Sequence, residues 1–114
     1  MGKKKKILFV CTANKQRSRT AEEIYKSDPR FEVKSAGTSD YAERPVDTGI
    51  LEWADYIIVM EEYHRTEIKR RFRRISETKP IISLDIPDVY YYMDLSLVRD
   101  LKRKLEKIFS GFDR

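Results

Sequence analysis

Lys6-Ile-Leu-Phe-Val-Cys-Thr-Ala-Asn-Lys-Gln-Arg-Ser-Arg-Thr-Ala-Glu-Glu-Ile-Tyr25 decides the fold. Ile7 to Val10 is an unbroken apolar run, the length of a strand buried on both faces. Cys11 stands at its C-terminal end. A polar loop follows from Thr12 to Gln16, then Arg17 and Ser18, and helical spacing begins at once with Ala21, Ile24 and Tyr25. The only cysteine of the chain therefore sits where a strand hands over to a helix. In open α/β sheets, ligands bind at such handovers.

The turn has the makings of an anion site. The first N–H groups of a helix lack intrahelical partners, and the helix dipole is positive there. A loop whose N–H groups converge cradles an oxyanion of phosphate size. A thiol in that cradle is favoured as thiolate. Arg17 brings a permanent charge and a planar fork for two oxygens. Thiolate and phosphate in one cradle imply nucleophilic phosphoryl transfer, whereas the plainer reading is an inert buried cysteine followed by a surface arginine.

The rest of the chain extends the alternation of strand and helix. A first helix is expected from Ser18 to Ser27, stopping before Asp28-Pro29. Phe31 to Ser35 alternates as an edge strand exposed on one face. Asp47 caps a short helix reaching Trp53, and Tyr56 to Met60 is a second buried strand. One helix is expected from Glu61 to Ile75, with Ile68, Phe72 and Ile75 on its apolar face. His64 shares that face and reads as a half-buried core histidine. Ile81 to Leu84 is a short fourth strand. A final helix carries Leu97, Val98, Leu101, Leu105, Ile108 and Phe109 on one stripe, capped by Asp94 and ended by Gly111. The order β-α-β-α-β-α-β-α means an α/β domain, a parallel sheet covered by helices.

The chain has 114 residues and a net charge of +5. That length suits one domain, 1–114, and that charge suits acidic or phosphorylated partners. Lys3 to Lys6 and the arginines around Lys69 to Arg74 form two basic clusters. A nucleic-acid surface is one reading of them, but without a reading motif a solvated face explains them better. One cysteine excludes an internal disulfide, and no metal-ligand cluster is visible, so no cofactor is expected. No apolar run is long enough to span a bilayer. The basic start before Ile7 imitates a signal peptide, but Asn14 to Arg17 cuts the apolar stretch short, which favours a cytoplasmic protein.

Cys-Thr-Ala-Asn-Lys-Gln-Arg-Ser, residues 11–18, fits the C-x₅-R-[ST] loop of cysteine-dependent phosphatases. With Leu8 to Val10 before it and Ala21-Glu22 after it, the stretch resembles the low-molecular-weight protein tyrosine phosphatases. Ser35-Ala-Gly-Thr38 and Ala54-Asp-Tyr-Ile-Ile-Val-Met-Glu61 carry the same resemblance. It implies a flavodoxin-like, phosphotyrosine phosphatase I-like fold: four parallel strands in order 2-1-3-4, with helices on both faces.

The resemblance also implies roles. Cys11 is the nucleophile, and Arg17 with the amides of Thr12, Ala13, Asn14, Lys15, Gln16, Arg17 and Ser18 holds phosphate. Ser18 bonds the sulfur, Asn14 keeps the loop in shape, and Ser35 supports Asn14. The general acid lies in an Asp-Pro-Tyr/Trp sequence near the C-terminus of the family, which Ile86-Pro-Asp-Val-Tyr-Tyr91 matches with Val89 for proline. That makes Asp88 the candidate acid, the alternative being a turn-capping aspartate. Tyr90 and Tyr91 are candidate walls for an aromatic substrate or, alternatively, pack on the sheet. Between Thr38 and Ala54 the chain is much shorter than usual for the family, and Tyr41 is the one aromatic left on that segment, either a pocket wall or an exposed tyrosine. Gln16 occupies the place of a second cysteine common in the family, and Lys15 matches neither of the usual residues that separate phosphotyrosine from phosphoarginine. The expected substrate is a phosphorylated protein or a small aryl phosphate, hydrolysed through a cysteinyl-phosphate. The competing readings are an arsenate reductase using an external thiol and a non-catalytic phosphate- or polyanion-binding module.

Overall fold

The computed structural model describes residues 4–112. Nine elements follow one another: β1 (Lys5–Cys11), α1 (Arg17–Tyr25), β2 (Phe31–Gly37), α2 (Thr48–Trp53), β3 (Tyr56–Val59), α3 (Glu62–Arg71), α4 (Arg73–Thr78), β4 (Ile81–Ser83) and α5 (Leu95–Phe109). The strands form one parallel sheet in the order β2-β1-β3-β4. This is the four-stranded, 2-1-3-4 flavodoxin-like architecture that the sequence implies.

β1 is central, and its apolar run explains the two-layered core. Ile7, Leu8, Phe9 and Val10 are fully buried. Ile7 and Phe9 face a cluster with Tyr25 of α1 and Leu97, Leu101, Leu105 and Phe109 of α5. Leu8 and Val10 face the opposite cluster with Leu51 of α2 and Ile68 of α3. Each such side chain contributes about 1.5–3 kcal/mol by leaving water, so β1 anchors both layers. Its C-terminal end, where Cys11 pairs in register with Gly37, is thereby fixed.

Three expectations need correction. The helix expected from Glu61 to Ile75 breaks at Phe72 (φ −129°, ψ 54°) into α3 and α4. The break lets Phe72 and Ile75 both pack against the second core cluster, and Lys69, Arg70 and Arg71 end α3 where the helix dipole favours cations. Gly111 does not terminate α5 in a left-handed turn, since no glycine among the described residues has positive φ. Ser110 is the cap, and successive tight turns bring Phe112 onto the Tyr56 ring, with centroids 4.1 Å apart. Finally, β2 runs on to Gly37 rather than ending at Ser35, because β1 extends to Cys11 beside it.

Part of the basic face of α3 and α4 is paired locally, Arg70 with Glu67 and Arg65 with Glu62. Lys3, of the N-terminal basic cluster, lies outside the described residues. Among the described residues, no helix is long and apolar enough to cross a membrane.

Candidate active site

Cys11 ends β1, and the chain then winds through Thr12–Gln16 into α1. Asn14 takes a left-handed conformation (φ 57°), which asparagine tolerates better than most residues. Its amide Nδ2 donates to Ser18 Oγ at 2.9 Å. Ser18 Oγ lies 2.9 Å from Cys11 Sγ. Because Asn14 already donates to that oxygen, the Ser18 hydroxyl proton is free to point at the sulfur.

The carbonyls of Cys11, Thr12 and Ala13 are paired. Thr38 N–H donates to the Cys11 carbonyl, Ser39 N–H to that of Thr12 and Glu43 N–H to that of Ala13. The short segment after β2 thus braces the back of the loop. Gly37 makes this approach feasible, since a Cβ there would stand 2.4 Å from the Thr12 carbonyl oxygen. Among the described residues, no backbone N–H from Thr12 to Arg19 donates to a protein acceptor. Paired carbonyls and amides without protein acceptors in one turn are the pattern of an oxyanion cradle.

Arg17 is 2% exposed, with Nη1 donating to the Glu61 carboxylate and, at 2.8 Å, to the Ile86 carbonyl. Its Nε lies 3.7 Å from Asp88 Oδ1. Burial opposes its charge, but the neighbouring Tyr63 side chain, the hydrogen bond to Glu61 and the charge of Asp88 outweigh it and hold the guanidinium above its ordinary pKa. Cys11, Ala13, Lys15, Gln16, Arg17 and Asp88 line one small cavity. The loop reaching Asp88 is pinned at both ends. Lys104 Nζ donates to the Leu84 and Asp85 carbonyls, and Met93 N–H donates to Thr20 Oγ1. Asp88, 59% exposed, stands between those anchors.

Other expected residues fall elsewhere. Ser35 Oγ donates to Glu22 Oε1 at 2.6 Å rather than to Asn14, because Glu22 on the facing turn of α1 is the stronger acceptor. Tyr41 is 95% exposed and Tyr91 78% exposed, and neither lines the cavity over Cys11. Tyr90 turns to α5, where its hydroxyl donates to Asp100 at 2.9 Å and its ring packs on the core.

The start of α3 supplies what sequence reading missed. His64 is fully buried, not half-buried, and it faces the loop. Glu61 N–H donates to His64 Nδ1, so the neutral ring carries its proton on Nε2 and donates to Thr12 Oγ1 at 2.9 Å. Burial and the neighbouring Arg17 charge push the His64 pKa down to about 4. Tyr63 Oη also meets Thr12 Oγ1, at 2.7 Å. Glu61, Tyr63 and His64 therefore clamp the loop at Arg17 and Thr12. The signal was present in Met60-Glu-Glu-Tyr-His64, a polar run directly after a buried strand on the same sheet edge as Cys11.

The family model for low molecular weight phosphotyrosine protein phosphatase matches residues 6–54, somewhat under half of the chain and the part that carries the loop. No curated protein matches the sequence. Several solved structures share the fold. SP-PTP, a low molecular weight protein tyrosine phosphatase from Streptococcus pyogenes, is 21% identical, with a TM-score of 0.79 over 94% of this chain and 92% of its own. The tyrosine phosphatase Wzb from Escherichia coli K30, in complex with phosphate, is 20% identical, with a TM-score of 0.77 over 96% and 99%. The YwlE arginine phosphatase from Geobacillus stearothermophilus is 23% identical, with a TM-score of 0.72 over 94% of each. Family model and fold both match the low molecular weight tyrosine phosphatases, the family that the Cys11–Ser18 loop resembles.

Proposed function

We propose that the protein is a cysteine-dependent phosphomonoesterase, a protein tyrosine phosphatase acting through a cysteinyl-phosphate. The observation that supports this reading is a turn in which no amide of residues 12–19 donates to a protein acceptor and Cys11 Sγ contacts Ser18. A phosphate dianion satisfies those donors, and the Nε edge of Arg17 supplies a further, charged donor.

In the first step Cys11 Sγ attacks phosphorus in line, and Asp88 protonates the leaving oxygen as the P–O bond breaks. In the second step Asp88, now a carboxylate, takes a proton from water as the water displaces the sulfur. The Ser18 hydroxyl stabilises the departing thiolate. The amides and Arg17 hold the equatorial oxygens, where the charge is concentrated. Glu61 and the Ile86 carbonyl fix the guanidinium, and the His64–Thr12 bond fixes the first turn of the loop. A cytoplasmic setting, which keeps a lone thiol reduced, suits this chemistry.

Hydrolysis of p-nitrophenyl phosphate with chelator present, with and without vanadate, tests the reading. Chelator-resistant turnover blocked by vanadate is expected. Vanadate-sensitive binding of phosphate without turnover supports a binding module instead.

A further inference from the structure

The small cavity over Cys11 has a floor and a mouth. Cys11 and Arg17 are buried and form the floor. Lys15 and Asp88 are exposed and, with the half-buried Gln16, form the mouth. The proposed mechanism employs Cys11, Arg17 and Asp88, but it gives the side chains of Lys15 and Gln16 nothing to do. Among the described residues, Lys15 pairs with no carboxylate, and the Gln16 side chain makes no capping hydrogen bond to the helix it precedes. Cations nearby on α1 and just after it are matched, Arg19 by Glu22 and Lys26 by Glu23. Inside the cavity Glu61 holds Arg17, and Asp88 carries its proton as a substrate enters on the proposed mechanism. Lys15 is then the uncompensated cation of the cavity.

We infer that Lys15 is the specificity residue of this mouth, and that it selects phosphomonoesters carrying a second anionic group, a carboxylate or another phosphate, close to the phosphoryl group. This rests on the phosphatase reading above and goes beyond it by naming the charge that the substrate bears outside the cradle. The phosphoryl group takes up the floor, so the rest of the substrate emerges between Lys15, Gln16 and Asp88. An ammonium on a flexible stem reaches an anion at several positions there, and the Gln16 amide adds a neutral donor. A cationic leaving group meets like charge and is disfavoured. An exposed ion pair is weak, so Lys15 sorts substrates rather than supplying tight binding.

The test uses two ligands that are not turned over, because carbon replaces the ester oxygen. Phosphonoacetate carries a carboxylate beside its phosphonate, and carbamoylmethylphosphonate carries a neutral amide of the same shape. Calorimetry on the intact protein at low ionic strength gives the ratio of their affinities, and comparing variants cancels what differs between the ligands alone. Relative to wild type, Lys15→Gln is expected to lower the preference for phosphonoacetate about three- to fivefold, the scale of an exposed ion pair. Lys15→Glu lowers it further, and Lys15→Arg keeps it. High salt narrows the gap between wild type and Lys15→Gln. Arg19→Gln removes the same charge from a neighbouring residue that does not line the cavity, and it keeps the wild-type ratio. Lys15 loses this role if Lys15→Gln leaves the ratio unchanged, as it would if both ligands weakened equally because Lys15 serves the phosphoryl group alone. It also loses the role if Arg19→Gln shifts the ratio as far. Failure of wild type to bind inorganic phosphate at all overturns the phosphatase reading itself, a separate outcome.

Discussion

The Cys11 Sγ and Ser18 Oγ atoms lie 2.9 Å apart inside the loop, and Asn14 donates to the same serine oxygen. That arrangement makes Ser18 a donor to sulfur, and on the proposed mechanism the donor matters most when the thiolate leaves phosphorus. A hydrogen bond to a charged group is worth about 1.5–3 kcal/mol, so Ser18→Ala should lower kcat by roughly 10- to 100-fold. The loss should fall on hydrolysis of the intermediate, which rapid-quench kinetics resolve. An unchanged kcat would remove Ser18 from that role.

Arg17→Lys keeps a charge but not the planar fork, and it gives up the paired hold of Glu61 and Ile86 on one nitrogen. The expected cost is on the order of 10²–10³ in kcat, the usual effect of losing one preorganised donor to the transition state. Near-wild-type turnover by this variant would place the arginine outside the phosphate site.

Asp88→Asn keeps shape but delivers no proton. The loss should be on the order of 10²–10⁴ with phenyl phosphate, whose leaving group is basic. It should be much smaller with p-nitrophenyl phosphate, which departs as an anion. Asp94→Asn should retain activity, since Asp94 caps α5 by accepting from Ser96 N–H and asparagine also caps. A leaving-group-dependent loss in Asp85→Asn or Asp94→Asn, with none in Asp88→Asn, would reassign the acid.

The reach of the sequence followed the range of the interactions involved. The β1 run, the Asp47 and Asp94 caps and the α5 stripe are local patterns, and a periodicity or a capping residue reveals them directly. The clamp of Glu61, Tyr63 and His64 is not local, because it joins positions about 50 residues apart and needs the sheet to bring them together. The Ser35–Glu22 bond has the same character, since nothing in Ser35-Ala-Gly-Thr38 tells which of two nearby acceptors wins. The break at Phe72 was hidden because apolar spacing continues through it, and only packing against the second core cluster separates α3 from α4.

His64 predicts a dependence of stability on pH. Its folded pKa is pushed down to about 4, from an ordinary value of 6.5, by burial and then by Arg17. The unfolded chain therefore binds the proton more readily, and this contribution is complete above pH 6.5 and lost as pH falls toward 4. The loss attached to this one group is about 3 kcal/mol. Urea unfolding of wild type and His64→Gln between pH 7 and pH 4 should show a shallower decline for the glutamine variant. Parallel curves would mean that His64 accepts its proton without cost.

Gly37→Ala tests the brace behind the loop. The added methyl would meet the Thr12 carbonyl at 2.4 Å and Ala42 Cβ at 2.6 Å. Backbone must shift, at a cost of about 1–3 kcal/mol in stability, and the cradle shifts with it. Phosphate affinity should fall together with the urea midpoint. A stable variant with intact phosphate binding would show that the loop holds its shape without the brace.

The central claim is that phosphorus is passed to the Cys11 sulfur. The direct measurement is mass spectrometry of protein acid-quenched during turnover of p-nitrophenyl phosphate, with the modified peptide sequenced. The account predicts a phosphoryl group on the peptide containing Cys11, accumulating further when Asp88 is replaced by asparagine, and absent from Cys11→Ser during an equal exposure. Sustained turnover by Cys11→Ser, or a phosphoryl group mapped to any other residue, would contradict it.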